Sequence, residues 1–119
     1  MVAERLRSLS GEPRAEELAG DALAHARRAL ARSRELGRGG RLDAAERARQ
    51  IAWAALTLAS RQIARSRARE ALARARRRLT AAEARAERSR EALEQAMRQR
   101  ARSMEAELTP PADDSEGEE

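Results

Sequence analysis

GRGGRLDAAE, residues 37–46, is the stretch whose reading decides the fold. Gly37, Gly39 and Gly40 stop a helix, because glycine adopts the left-handed conformation that ends one and is costly inside one. Asp43, with Glu46 three residues later, has the spacing of a capping box and signals a new helix start. Residues 37–42 therefore read as a Gly-rich turn between two helices. A turn this short folds the arms back on each other, antiparallel. Residue numbers that face each other across the hairpin then add up to about 78.

Upstream, the spacing predicts helix 1 over residues 13–36. Pro13 suits a first helical turn, and Glu16 and Glu17 behind it favour a helix N-terminus. Ala15, Leu18, Ala22, Ala26, Ala29, Ser33 and Leu36 recur at steps of three and four and form one apolar face. Gly20 weakens the helix slightly. Residues 1–12 form a short amphipathic segment with Leu6 and Leu9, ending near Gly11.

Downstream, residues 43–108 contain neither Gly nor Pro. Pro110 and Pro111 close the segment, and residues 109–119 read as a disordered acidic tail. Unbroken, helix 2 would be roughly 100 Å long at 1.5 Å per residue. Thr80 followed by Glu83 is a second capping-box spacing and would split the helix near residues 79–80. The phase of the apolar face argues for one helix. Ala64, Ala68, Leu72, Ala75, Leu79, Ala82, Ala86, Ser89, Leu93, Met97, Ala101, Met104 and Leu108 step by three or four throughout, a mean of 3.67. That is the period of an eleven-residue repeat.

Two seams run along helix 2. Leu42, Ala45, Ala48, Ala52, Leu56, Ala59 and Ile63 share the face that meets helix 1. The second seam, from Ala64 onward, lies more than 100° around the helix at 100° per residue. Trp53, Thr57 and Ser60 fall on its backward extension. Segment 50–60 is thus apolar in several directions, which is the mark of a buried helix. The expected hairpin core is Leu18, Ala22, Leu23, Leu30, Leu36, Leu42, Ile51, Trp53, Leu56 and Ile63. Helix 1 runs out near Ile63, which leaves Leu72, Ala75, Leu79, Ala82, Ala86, Leu93, Met97, Met104 and Leu108 as an uncovered seam for another helix. A second copy of the chain is the economical partner, so a homo-oligomer is expected, a dimer first of all. Parallel and antiparallel association both remain open.

Composition sets the limits. The chain has 119 residues, about a quarter of them Ala, one Trp and no Phe, Tyr or Cys. Burying Ala removes little apolar area from water at about 25 cal/mol per Å². A thick globular core is therefore not expected, and stability must come from helix propensity and long seams. Without Cys there is no disulfide framework and no thiolate chemistry. The N-terminus lacks the apolar run of a signal peptide, and the longest apolar run falls far short of the ~20 residues that span a bilayer. The expectation is a cytoplasmic protein without membrane insertion.

All 25 basic residues are Arg. Residues 105–119 hold seven acids and no Arg, so residues 1–104 carry 25 Arg against 13 acids. The chain lacks Lys, Asn, Phe, Tyr and Cys, most of which have AT-rich codons, and coding bias accounts for much of the Arg content. The densest cluster is residues 61–78, with Arg61, Arg65, Arg67, Arg69, Arg74, Arg76, Arg77 and Arg78 against Glu70 alone. Such a run is able to contact anions, a phosphate backbone included. No aromatic residue lies near it for base stacking, and no Gly-containing turn makes helix 2 a helix-turn-helix. Sequence-independent nucleic-acid or anionic-surface binding is therefore the alternative reading. In an antiparallel dimer centred near Ala86, the acidic tail of one chain would lie beside residues 61–69 of the other and modulate that contact.

The catalytic inventory is nearly empty. His25 is the only His and reads as a partly covered bundle residue at the edge of the helix 1 face, without company for metal binding. No catalytic, cofactor or metal residues are assigned. The reading is all-α, an antiparallel helical hairpin with a long Ala-rich, coiled-coil-like second helix. The expected role is that of a structural or adaptor protein that is not an enzyme, self-associates through the long helix and uses the hairpin end as a partner-binding surface.

Overall fold

The computed structural model describes residues 1–108. The acidic tail expected over 109–119 lies outside the described residues. Three helices follow one another, α1 Val2–Ser10, α2 Ala15–Arg38 and α3 Leu42–Leu108, with no strand among the described residues. The fold is the expected all-α antiparallel hairpin with a long second helix, preceded by a short helix. The chain divides into two compact units, Met1–Ala73 and Arg74–Glu119.

The turn forms as its glycines dictate, though α2 runs through Gly37 and ends at Arg38. Gly40 adopts φ +77, and its N–H donates to the Gly37 carbonyl at 3.1 Å while that of Arg41 donates to the Leu36 carbonyl at 2.9 Å. These are the paired bonds of a Schellman stop, which satisfy carbonyls that the helix end leaves open. α3 begins at Leu42, one residue before the expected start, so Asp43 sits inside the first turn and complements the helix dipole there. No break occurs near residues 79–80: Thr80 is helical, as the unbroken apolar phase requires.

The other end of α2 departs from expectation. Pro13 lies in the turn before the helix, which starts at Ala15. Between them Arg14 takes the left-handed conformation, φ 60, which costs a non-Gly residue about 1–2 kcal/mol. Its side chain is clasped by Glu17 at 3.0 Å and Glu70 at 2.5 Å. Ala19, just before Gly20, is non-helical (φ −146, ψ 30) and kinks α2.

The core of the first unit is built of alanine. Ala15, Ala19, Ala22, Ala26 and Ala29 of α2 are buried, as are Ala45, Ala48, Ala52, Ala55 and Ala59 of α3, and among the large side chains only Leu23 and Leu56 are fully enclosed. Small side chains let the two backbones approach closely and gain dispersion contacts in place of bulk. The Ser33 hydroxyl is buried here and donates to the Ala45 carbonyl at 2.9 Å, a pairing that fits the expected facing of the two arms. Ile63 is the last buried residue of α3. Val2 of α1 joins this core, with Leu6, Leu9, Leu18 and Leu30 half-buried around it.

Three residues expected in the hairpin core are outside it. Leu42 is 71% exposed, Ile51 50% and Trp53 46%. The reason is the alanine contact itself: where the axes come this close, a bulky side chain has no room between them and points to the flanks. Leu36 is half-buried, while Ala22, Leu23, Leu56 and Ile63 lie inside as expected.

Candidate functional site: an open groove and an uncovered seam

The α2–α3 hairpin has two flanks, and α1 occupies one of them. The Arg5 guanidinium lies 4.4 Å from the centre of the Trp53 ring and donates to the Thr57 hydroxyl at 3.3 Å. Thr57 in turn donates to the Trp53 carbonyl at 3.1 Å. The segment after α1 continues along α3 through Glu12 to Arg67 at 2.8 Å and through Arg14 to Glu70. Trp53 and Thr57, which fall on the backward extension of the second seam, are therefore met by α1 of their own chain.

Charge pairing fixes this corner. Hydrogen bonds from Arg14 hold the Glu17 carboxyl below its ordinary range, and bonds to Glu17 and then Glu70 raise the Arg14 guanidinium. Arg27 bonds Glu16 and lowers that carboxyl in the same way, while also donating to the Ser10 hydroxyl at 3.1 Å. Ser10 ends α1, so Arg27 ties it to α2.

The other flank is open. Its upper part is lined by Arg28, Arg32, Glu35, Arg41 and Arg47 over a floor that includes Ala29 and Ala48. It continues past His25 and Ile51 to Asp21, Ala22, Ala54, Ala55 and Leu58. His25 is exposed here and not partly covered as expected, because it sits on the flank that α1 leaves free. Sequence reading missed this groove. The signal was present in Ala44, Ile51, Ala55 and Leu58, which share a face of α3 opposite Arg28 and Arg32 on α2.

In the second unit no residue from 74 to 108 is buried. Leu79, Leu93, Met97, Met104 and Leu108 are between 52 and 80% exposed, and Ala75, Ala82 and Ala86 are exposed with them. Leu72, in the first unit, is half exposed. The ion pairs Arg90–Glu87 and Arg98–Glu94, at 3.5 and 3.6 Å, are solvated pairs within one helix and contribute a few tenths of a kcal/mol at most.

All eight Arg of residues 61–78 are exposed. Arg67 is engaged by Glu12, and the single acid of the run, Glu70, by Arg14. The other seven form no ion pair among the described residues. No described residues form a cluster of three or more His, Cys, Asp or Glu placed to hold a metal ion. No helix among the described residues is long and apolar enough to cross a membrane. The chain matches no protein family, no curated protein and no solved structure.

Proposed function

We propose that the protein is a non-catalytic cytoplasmic adaptor that self-associates through the seam of its long helix and presents the hairpin as a partner-binding surface. One observation carries the reading: residues 74–108 keep a helical row of exposed Leu and Met side chains that no described residue covers. Its side chains recur at steps of three and four, the rows by which one helix packs on another.

The row is also self-complementary. In an antiparallel pair about Ala86, Ala75 of one chain meets Met97 of the other, and Leu79 meets Leu93. Met104 likewise meets Ala68, so each Met faces a small residue, and at the centre Ala86 meets only its own copy. A parallel pair in register stacks Met97 on Met97 and Ala75 on Ala75, which demands different separations in neighbouring layers. It also sets the Arg-rich segment 61–78 against its own copy, like charge facing like.

Sedimentation equilibrium of the full-length protein at about 150 and 500 mM salt tests the reading, as apolar association persists at high salt while surface ion pairs weaken. A dimer at both concentrations is expected, with Leu79→Glu/Leu93→Glu monomeric. A wild-type monomer at both sinks it. The seven unpaired Arg side chains in residues 61–78 favour, as a second reading, salt-dependent binding of a nucleic-acid backbone.

A further inference from the structure

We propose that the open α2–α3 groove is a docking site for an acidic amphipathic helix of another protein. α1 closes one flank of the hairpin through Val2 and through Arg5 on Trp53 and Thr57. The opposite flank has no such cover, yet it carries the same kind of apolar provision. Ile51 and Leu58 stand there half exposed, two helical turns apart and on one face of α3. Beside them Ala22, Ala29, Ala48 and Ala55 make a buried floor without bulk. A floor of methyl groups admits a helix backbone at close range, and Ile51 and Leu58 then fit between its side chains, as in helix-in-groove recognition.

Charge selects the kind of helix. Arg28, Arg32, Arg41 and Arg47 line the groove, and none of the four pairs with an acid among the described residues. Against them stand only Glu35 at the upper end and Asp21 at the lower. Carboxylates on the occupant would gain charge-assisted hydrogen bonds from these guanidiniums, whereas a basic helix would be repelled. A phosphate backbone would satisfy the Arg side chains but has nothing to place on Ile51 and Leu58. From Ala44 to Leu58 α3 rises about 21 Å, which matches an occupant of about 14 residues. This site lies in the first unit and does not rest on the self-association reading.

The test is selection of a displayed library of 18-residue helices against immobilised full-length protein. The library carries Leu at helical spacing and random polar residues elsewhere. Enrichment of net-acidic helices is expected, with affinity at least tenfold weaker for Ile51→Ser/Leu58→Ser and for Arg32→Glu/Arg47→Glu. All four side chains are exposed, so circular dichroism of these variants should match wild type, and their sedimentation should be unchanged. Three results would overturn the proposal: no enrichment, enrichment of neutral or basic helices, or affinity that both variants leave intact. So would a DNA duplex that loses affinity for Arg32→Glu/Arg47→Glu and keeps it for Ile51→Ser/Leu58→Ser, since that assigns the groove to nucleic acid.

Discussion

α3 carries alanine at helical spacing from end to end, yet its two stretches meet opposite fates. Over residues 42–63 Ala45, Ala48, Ala52, Ala55 and Ala59 are enclosed against α2, with Ala52 and Ala59 fully buried. Over residues 74–108, Ala75, Ala82 and Ala86 recur at the same spacing and all are exposed. The recurrence of Ala does not distinguish the stretches, although residues 74–108 are richer in charge. What differs is whether a second helix follows alongside, and the Gly-rich turn and the length of α2 decide that. Burial in such a chain is a property of the pairing.

The sharpest way to break this comparison is one substitution made in both stretches. Leu56→Ala removes a fully enclosed side chain and should cost about 2–5 kcal/mol in urea unfolding followed by Trp53 fluorescence. Leu93→Ala, in protein dilute enough to be monomeric, should change stability by less than about 0.5 kcal/mol. Equal losses would mean that residues 74–108 have cover within their own chain. Next in size is the turn that creates the difference. Gly40→Ala meets no atom within 4 Å, so its cost is backbone strain alone, about 1 kcal/mol, and Gly40→Asn should recover part of it.

A smaller effect concerns the third helix. Arg5→Ala should destabilise by roughly 0.5–1 kcal/mol and shift Trp53 emission to the red, while Arg85→Ala on the uncovered stretch leaves both unchanged. The smallest is a dependence on pH. Glu16 and Glu17 have lowered carboxyl pKa values in the folded chain, set by Arg27 and Arg14. Their stabilisation is complete above the ordinary carboxylate value of about 4.3 and is lost as pH falls through the lower folded values. The melting temperature should therefore decline below about pH 5, and Glu16→Gln/Glu17→Gln should flatten the decline.

The hairpin was legible in the sequence because its signals are local. Three glycines, an acidic helix start and a three-four apolar rhythm suffice for the turn and for the facing of Ser33 and Ala45. The continuity of α3 through Thr80 was legible too, since a turn there would have reset the apolar phase. Which side chains fill the interface was not, because the eye follows bulk. Ile51 and Trp53 looked like core, and their exposure follows only once the alanines are known to bring the backbones together. The place of α1 was also hidden. Nothing local to Val2 or Arg5 announces Trp53, nearly fifty residues away, and contacts of that kind are decided by tertiary packing. The groove stayed unseen for the same reason: its walls come from two helices, and its openness depends on which flank a third one chose.

The alanine core has a consequence for how this protein can change. Any single-base change of an alanine codon that alters the residue gives Val, Thr, Ser, Pro, Gly, Asp or Glu, and none of these is a longer unbranched hydrocarbon. Pro and Gly cost a helix interior about 3 and 1 kcal/mol, and Asp or Glu would be buried without a partner. Val and Thr add volume where two backbones nearly touch. Ten buried alanines are therefore ten positions where almost every accessible mutation is harmful. The exposed stretch at 74–108 is free to drift wherever no partner holds it, so in a set of related sequences the hairpin should change slowly, and constancy along the seam would itself be a sign that something binds there.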